Sequence, residues 1–204
     1  MIVLVGFMGA GKTTVGHLLS AHLGLPFVDS DLVIEQRSGR PVRQIFAEDG
    51  ESAFRALEHE VIAGLLDGPD LVLAVGGGAA EHPATRALLA RGDDPPRPPR
   101  EGIARGDEPP RPPREGIAAA QVVYLEVGYD QAIARVGGDP DRPLLARPDL
   151  AATYRRRLPL YAAIATITVP TDRRAPEAVT EDILARLVTE PAASARAPYA
   201  PPAP

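Results

Sequence analysis

The sequence has no cysteine, so disulfides, thiolate nucleophiles and cysteine-ligated metals are all excluded, and a reducing, intracellular address is expected. It also opens without an apolar run long enough to cross a membrane. Residues 2 to 5 (IVLV) give way to Gly6 with no basic leader before them, so no secretory or targeting segment is expected. Nor is there an excess of positive charge. Lys and Arg number 22 against 27 Asp and Glu, a formal net charge of -5, which speaks against a dedicated nucleic-acid surface despite local arginine clusters. The expectation is a cytoplasmic protein without a nucleic-acid or membrane partner.

What the chain does have in plenty is proline, 23 residues, about twice the ordinary share of roughly 5%, and its distribution marks where the domain is not. Residues 91–104 (RGDDPPRPPREGIA) are followed by a near-identical copy, residues 105–118, with only Asp94 changed to Glu108. So charged and proline-rich a repeat cannot form a packed helix or sheet, and a disordered insertion is expected. A second Ala/Pro stretch, 191–204, is expected to be a disordered tail. The remainder suits one domain over residues 1–190.

Within that domain, apolar runs alternate with helical periodicity. Strands are expected at 2–5, 27–31, 71–75, 122–127 and 166–169, and helices at 12–23, 51–66, 82–90, 129–136, 150–163 and 176–188. Strands that are apolar throughout and separated by helices predict a three-layer α/β fold around a central parallel five-stranded sheet. Between the fourth strand and the helix at 150, residues 137–149 are polar with Gly and Pro at their hinges. They read as a mobile lid carrying Arg142.

The first strand runs into Gly6-Phe7-Met8-Gly9-Ala10-Gly11-Lys12-Thr13, which fits the phosphate-binding P-loop pattern in its strand-to-helix setting. Glycines let successive N–H groups face the phosphates, and the helix that follows adds the positive end of its dipole. A nucleotide is therefore the expected ligand, its phosphates held by Gly9, Ala10, Gly11, Lys12, Thr13 and Thr14, although the motif by itself does not say which reaction follows. Lys12 suits the β- and γ-phosphates and the Thr13 hydroxyl suits Mg²⁺.

Further motifs follow in order: Asp29-Ser30-Asp31 at the end of the second strand, Gly39-Arg40, Ile45-Phe46, Gly50-Glu51, Phe54-Arg55, Leu57-Glu58, Gly76-Gly77-Gly78, Arg142-Pro143-Leu144-Leu145, and Arg157 before Pro159-Leu160-Tyr161. Together with the P-loop they resemble the shikimate kinase family over residues 2–90 and 119–188. The resemblance implies a P-loop kinase of the nucleoside-monophosphate-kinase-like type that moves the γ-phosphoryl of ATP to the 3-hydroxyl of shikimate, a step of aromatic amino-acid biosynthesis. Another small-molecule P-loop kinase, such as a gluconate kinase, and a nucleotide-binding module without transfer activity are the alternatives.

Each motif then acquires an expected role. At the carboxyl end of a strand two acids can both face the crevice. Asp29 suits the Mg²⁺ shell, usually through water, while Asp31 suits the acceptor hydroxyls and their proton; alternatively, Asp31 is simply the N-cap of the next helix. By resemblance, Arg55 and Arg157 grip the acceptor carboxylate, a geometry that a planar guanidinium fits with two parallel hydrogen bonds. Gly76, Gly77 and Gly78 let the acceptor approach the backbone. Arg142 would arrive with the lid and stabilise charge on the transferring group, and Arg135 and Arg174, with Pro176, would surround adenine. The stretch from Asp149 to Pro159 is shorter than the resemblance implies by about one helical turn of some four residues, which keeps Arg155 and Arg156 open beside Arg157. The spacing to Pro159 and Tyr161 favours Arg157.

Overall fold

The computed structural model describes residues 1–90, 120–137 and 149–189. The tandem repeat, all but the ends of the expected lid (Arg142 included) and the Ala/Pro tail lie outside the described residues.

Strands β1 (Ile2–Val5), β2 (Phe27–Asp29), β3 (Val72–Ala74), β4 (Gln121–Glu126) and β5 (Ile167–Pro170) pair in parallel in the order β2-β3-β1-β4-β5. Ile2 stands opposite Val72 on one side and Gln121 on the other. All residues of β1 and β3 are buried, as strands covered on both faces must be. At the sheet edge β5 alternates buried and exposed residues instead. One covering layer contains α1 (Lys12–Leu23) and α8 (Pro176–Thr189), which pack on each other. The other contains α5 (Pro83–Ala90) and α7 (Leu150–Ile164), with α4 (Gly50–Leu66) against α5. Helix α6 (Tyr129–Val136) follows β4. The expected three-layer parallel architecture is thus the observed one.

Two local outcomes differ from the sequence expectation. The second strand stops at Asp29 instead of Asp31 because Asp29 itself caps helix α2 (Ser30–Ser38), its Oδ1 accepting the Asp31 N–H at 3.0 Å. The capping role entertained for Asp31 therefore belongs to Asp29, and Asp31 lies in the first turn, where helical geometry turns its side chain elsewhere. An unexpected short helix, α3 (Val42–Glu48), also forms. It supplies Ile45 to a second small core, with Ile34 of α2 and Phe54 and Val61 of α4. Each such buried side chain contributes roughly 1.5–3 kcal/mol, and this cluster anchors the α4 segment that carries Arg55 and Glu58.

Strand β4 starts at the amino end of the sheet, opposite the P-loop, since Gln121 pairs beside Ile2 and donates its N–H to the Met1 carbonyl at 3.0 Å. Deleting residues 91–118 is accordingly expected to leave turnover and both Michaelis constants within about threefold, because closure entropy grows only logarithmically with loop length, by about 0.6 kcal/mol for each doubling. Comparing kinetics and melting temperature of the two chains checks this. A large loss of turnover at an unchanged melting temperature would mean that the repeat reaches the active site.

Candidate active site

All five strands run in one direction, so their carboxyl ends line a single edge, where ligands of such sheets bind. At the centre of that edge the loop after β1 wraps into α1. Gly9 and Gly11 take φ values of 74° and 92°, and a Cβ on Gly9 would stand 2.5 Å from the Ala132 carbonyl oxygen, so no side chain is tolerated there. Helix α1 begins at Lys12 with no side-chain cap on its first N–H groups, which leaves donors facing the loop. Lys12 Nζ donates to the Gly6 and Phe7 carbonyls at 2.9 and 3.2 Å, arching over that cradle. Thr13 and Thr14 are exposed at its mouth. A Thr13 hydroxyl with an Asp29 carboxylate is the hard oxygen set that suits Mg²⁺. Among the described residues no group of three or more His, Cys, Asp or Glu could hold a metal on its own.

Beside the P-loop lies the second half of the crevice, around Gly76, Gly77 and Gly78. Four buried side-chain atoms without a hydrogen-bond partner occur among the described residues: Asp31 Oδ1, Arg55 Nε, Glu58 Oε1 and Arg157 Nη1. Their residues converge on those glycines. A Cβ on Gly76 would stand 2.4 Å from Glu58 Oε1 and 2.9 Å from Asp31 Oδ1, one on Gly78 would strike the Arg55 guanidinium, and one on Gly77 would lie 3.8 Å from Arg157 Nη1. Buried polar atoms are ordinarily satisfied, so four unsatisfied groups at one spot mark the place of a polar ligand.

Charge in this half is strongly perturbed. Burial, reinforced by the neighbouring Asp29 and opposed by Lys12 and Arg55, pushes the Asp31 carboxyl up to about 6. Burial likewise pushes Glu58 up to about 7, although Arg55 Nη1 donates to its Oε2 at 2.6 Å. Arg55 also reaches Glu51 at 3.4 Å and lies over the Phe46 and Phe54 rings, 5.7 and 5.3 Å from their centroids. Next to Arg55 a cavity of about 360 Å³ opens, with Glu51, Glu81 and His82 among its lining. Tyr161, whose phenol burial pushes up, donates to the Gly77 carbonyl and fixes the glycine run.

Of the three consecutive arginines on α7, Arg157 is the one turned inward: its side chain is 1% exposed against 55% for Arg156. Arg155 is exposed and donates back to the Ala151 carbonyl at 3.3 Å. Arg135 and Arg174 meet on the far side of the P-loop. Arg135 donates to the Gly9 carbonyl at 3.1 Å and to the Thr171 carbonyl at 2.6 Å. Arg174 bonds the Pro170 and Ala178 carbonyls at 3.1 and 2.9 Å and Asp182 at 2.9 Å. With Gly11, Thr14 and Pro176 they line a cavity of about 190 Å³.

Among the described residues, Asp31, Arg55 and Arg157 thus gather at Gly76 to Gly78 and Arg135 and Arg174 beside Gly11 and Thr14, while Arg142 lies outside the described residues. Two participants carried no expected role, Glu58 and Glu81. The signal for Glu58 was present, since a glutamate three residues after an arginine shares its helix face.

The family model for "Shikimate kinase" matches residues 8–188. A shikimate kinase of Mycobacterium avium is 42% identical over 189 residues, covering 91% of this chain and 92% of its own. A solved shikimate kinase from Acinetobacter baumannii, in complex with shikimate, superposes with a TM-score of 0.73 at 33% identity and covers 92% of both chains. A gluconokinase from Sinorhizobium meliloti shares the fold, with a TM-score of 0.55 at 17% identity, and covers 92% of this chain and 91% of its own.

Proposed function

Because this chain belongs to the shikimate kinase family, we propose that it transfers the γ-phosphoryl of ATP to the 3-hydroxyl of shikimate, giving shikimate 3-phosphate and ADP. The observation that carries the acceptor assignment is the convergence of two arginines and two carboxylates, each with an orphaned polar atom, on Gly76 to Gly78. A carboxylated polyol offers what those atoms lack: a carboxylate for the guanidinium groups and hydroxyls for the carboxylates.

The acceptor lies between α4, α7 and the glycine run, with its carboxylate toward Arg55 and Arg157 and a hydroxyl at Asp31. Asp31 Oδ1 takes the hydroxyl proton as the acceptor oxygen bonds to the γ-phosphorus and the bond to the leaving oxygen of ADP breaks. A carboxyl pushed up to about 6 is a better proton acceptor than an ordinary aspartate and is still ionised at neutral pH. Lys12 exchanges the Gly6 and Phe7 carbonyls for phosphate oxygens. Thr13, and Asp29 through water, would hold Mg²⁺, which would neutralise phosphate charge. Adenine occupies the cavity between Arg135, Arg174 and Pro176, and Arg142 supplies a further cation to the transferring group.

Coupled ADP release with shikimate, gluconate and neutral polyols tests the assignment, with turnover expected on shikimate alone. Arg55→Ala is expected to raise the Michaelis constant for shikimate by about 10-fold or more, as charge-assisted contacts of this kind contribute about 1.5–3 kcal/mol, with that for ATP little changed. Equal weakening of both ligands would make Arg55 a structural residue. The enzyme acts as a cytoplasmic monomer in aromatic amino-acid biosynthesis, for which a solution mass near the 21.5 kDa of one chain is the check.

A further inference from the structure

Glu81 closes the three-residue 3-10 turn Ala79–Glu81 that directly follows the glycine run. Its Oε2 accepts from Arg157 Nε at 2.9 Å and Nη2 at 2.6 Å, while its Oε1 accepts from Arg156 Nε at 3.1 Å and Nη2 at 2.9 Å. Burial alone would raise the Glu81 carboxyl, but Arg157 and then Arg156 hold it below its usual range. Both carboxylate oxygens are thus committed, each to a different guanidinium. The contact takes only one edge of Arg157. The Tyr161 hydroxyl also neighbours the guanidinium, but Nη1 meets no hydrogen-bond acceptor in good geometry and faces Gly77, and Cζ lies 6.0 Å from the Phe7 ring centroid.

We infer that Glu81 is a positioning residue for acceptor recognition, gripping the Nε edge of Arg157 so that Nη1 is presented to the carboxylate of the acceptor. The inference rests on the carboxylated acceptor proposed above. A planar guanidinium gripped along one edge cannot rotate, so the direction of its remaining N–H groups is fixed before the ligand arrives. Without Glu81, the buried Arg157 would carry an uncompensated charge, and the orphaned Oε1 of Glu58, whose carboxyl already feels Arg157, offers an alternative partner. Pairing there would draw the guanidinium across the crevice and consume the atoms the acceptor needs. Arg156, on the solvent side, holds the other oxygen of Glu81 and keeps the carboxylate in register.

The test compares kcat/KM for shikimate with that for its methyl ester, which retains every hydroxyl but lacks the charge, in the unaltered chain, Glu81→Ala and Glu81→Gln. The unaltered chain is expected to prefer the free acid. In Glu81→Ala that preference is expected to fall about tenfold, through KM for shikimate, with kcat and KM for ATP nearly unchanged, and Glu81→Gln to fall between. A merely structural role would lower both acceptors alike and leave the ratio intact, which overturns the inference. So does a lower KM for shikimate in the alanine variant, since Glu81 would then be competing with the acceptor. If Glu81→Ala does not fold, the ratio in Glu81→Gln decides. Absence of shikimate turnover by the unaltered chain would instead remove the acceptor assignment, and the inference with it.

Discussion

Lys12→Ala is expected to lower turnover by about 10²–10³-fold or more, the size of effect seen when one fixed charge or donor is removed from a developing anion. Phosphoryl transfer asks the protein mainly for positioning and charge stabilisation. Lys12 is the cation rooted in the P-loop itself, at the first position of α1, and its Nζ sits 2.9 Å from the Gly6 carbonyl. Alanine preserves the helix, being its best former, and the folded chain should survive because Lys12 adds nothing to either apolar core. Single-turnover measurement with saturating ATP and shikimate isolates the chemical step. Near-normal turnover would sink the P-loop assignment.

The second large effect has two opposite signs. Asp31→Asn is expected to cut turnover by about 10²–10⁴-fold, since the amide cannot accept the hydroxyl proton. The same change is expected to stabilise the fold at pH 8. The Asp31 carboxyl is near 6 in the folded chain and 3.8 when unperturbed, so folding favours its protonated form. That contribution is fully present below about pH 4 and is lost as pH rises through 6, the loss amounting to about 3 kcal/mol at alkaline pH. Asparagine carries no such loss. Melting temperatures of the two proteins should therefore coincide near pH 4 and separate between pH 4 and 7, with the variant higher. A gap that ignores pH, or a less stable variant, would show that Asp31 is not held ionised against burial. Turnover of the unaltered enzyme should correspondingly decline below about pH 6.

How far the site could be read in advance depended on whether its parts were local in the chain. The P-loop was fully legible, because Gly6 to Thr13 are consecutive and their strand and helix flank them. The inward arginine was legible too: Leu150, Thr153, Arg157, Tyr161 and Ile164 are the buried positions of α7, and their three- and four-residue steps select Arg157 over its neighbours. The switch of capping from Asp31 to Asp29 was harder. Both residues are good caps, and only the point at which β2 ends its pairing with β3, at Asp29 beside Ala74, decides between them. The Glu81 partnership could not be read at all. Its arginines lie 75 and 76 positions away, and nothing in sequence spacing reports which side chains a parallel sheet will bring face to face.

The buried quartet at Gly76 to Gly78 also constrains how this enzyme could be redirected to another acceptor, by selection or by design. Removing Arg55 alone strands Glu58 without its ion-pair partner, and removing Glu58 alone leaves Arg55 only the longer contact to Glu51 at 3.4 Å. Breaking one member of a buried pair costs about 3–5 kcal/mol, whereas replacing both together is often neutral, so the single changes lie in a valley between two workable sites. Gly78 deepens it, since any side chain there collides with the Arg55 guanidinium. A library that varies one position at a time should return only weakened shikimate enzymes. Variants that accept an uncharged polyol should emerge only when positions 55, 58 and 78 are randomised together.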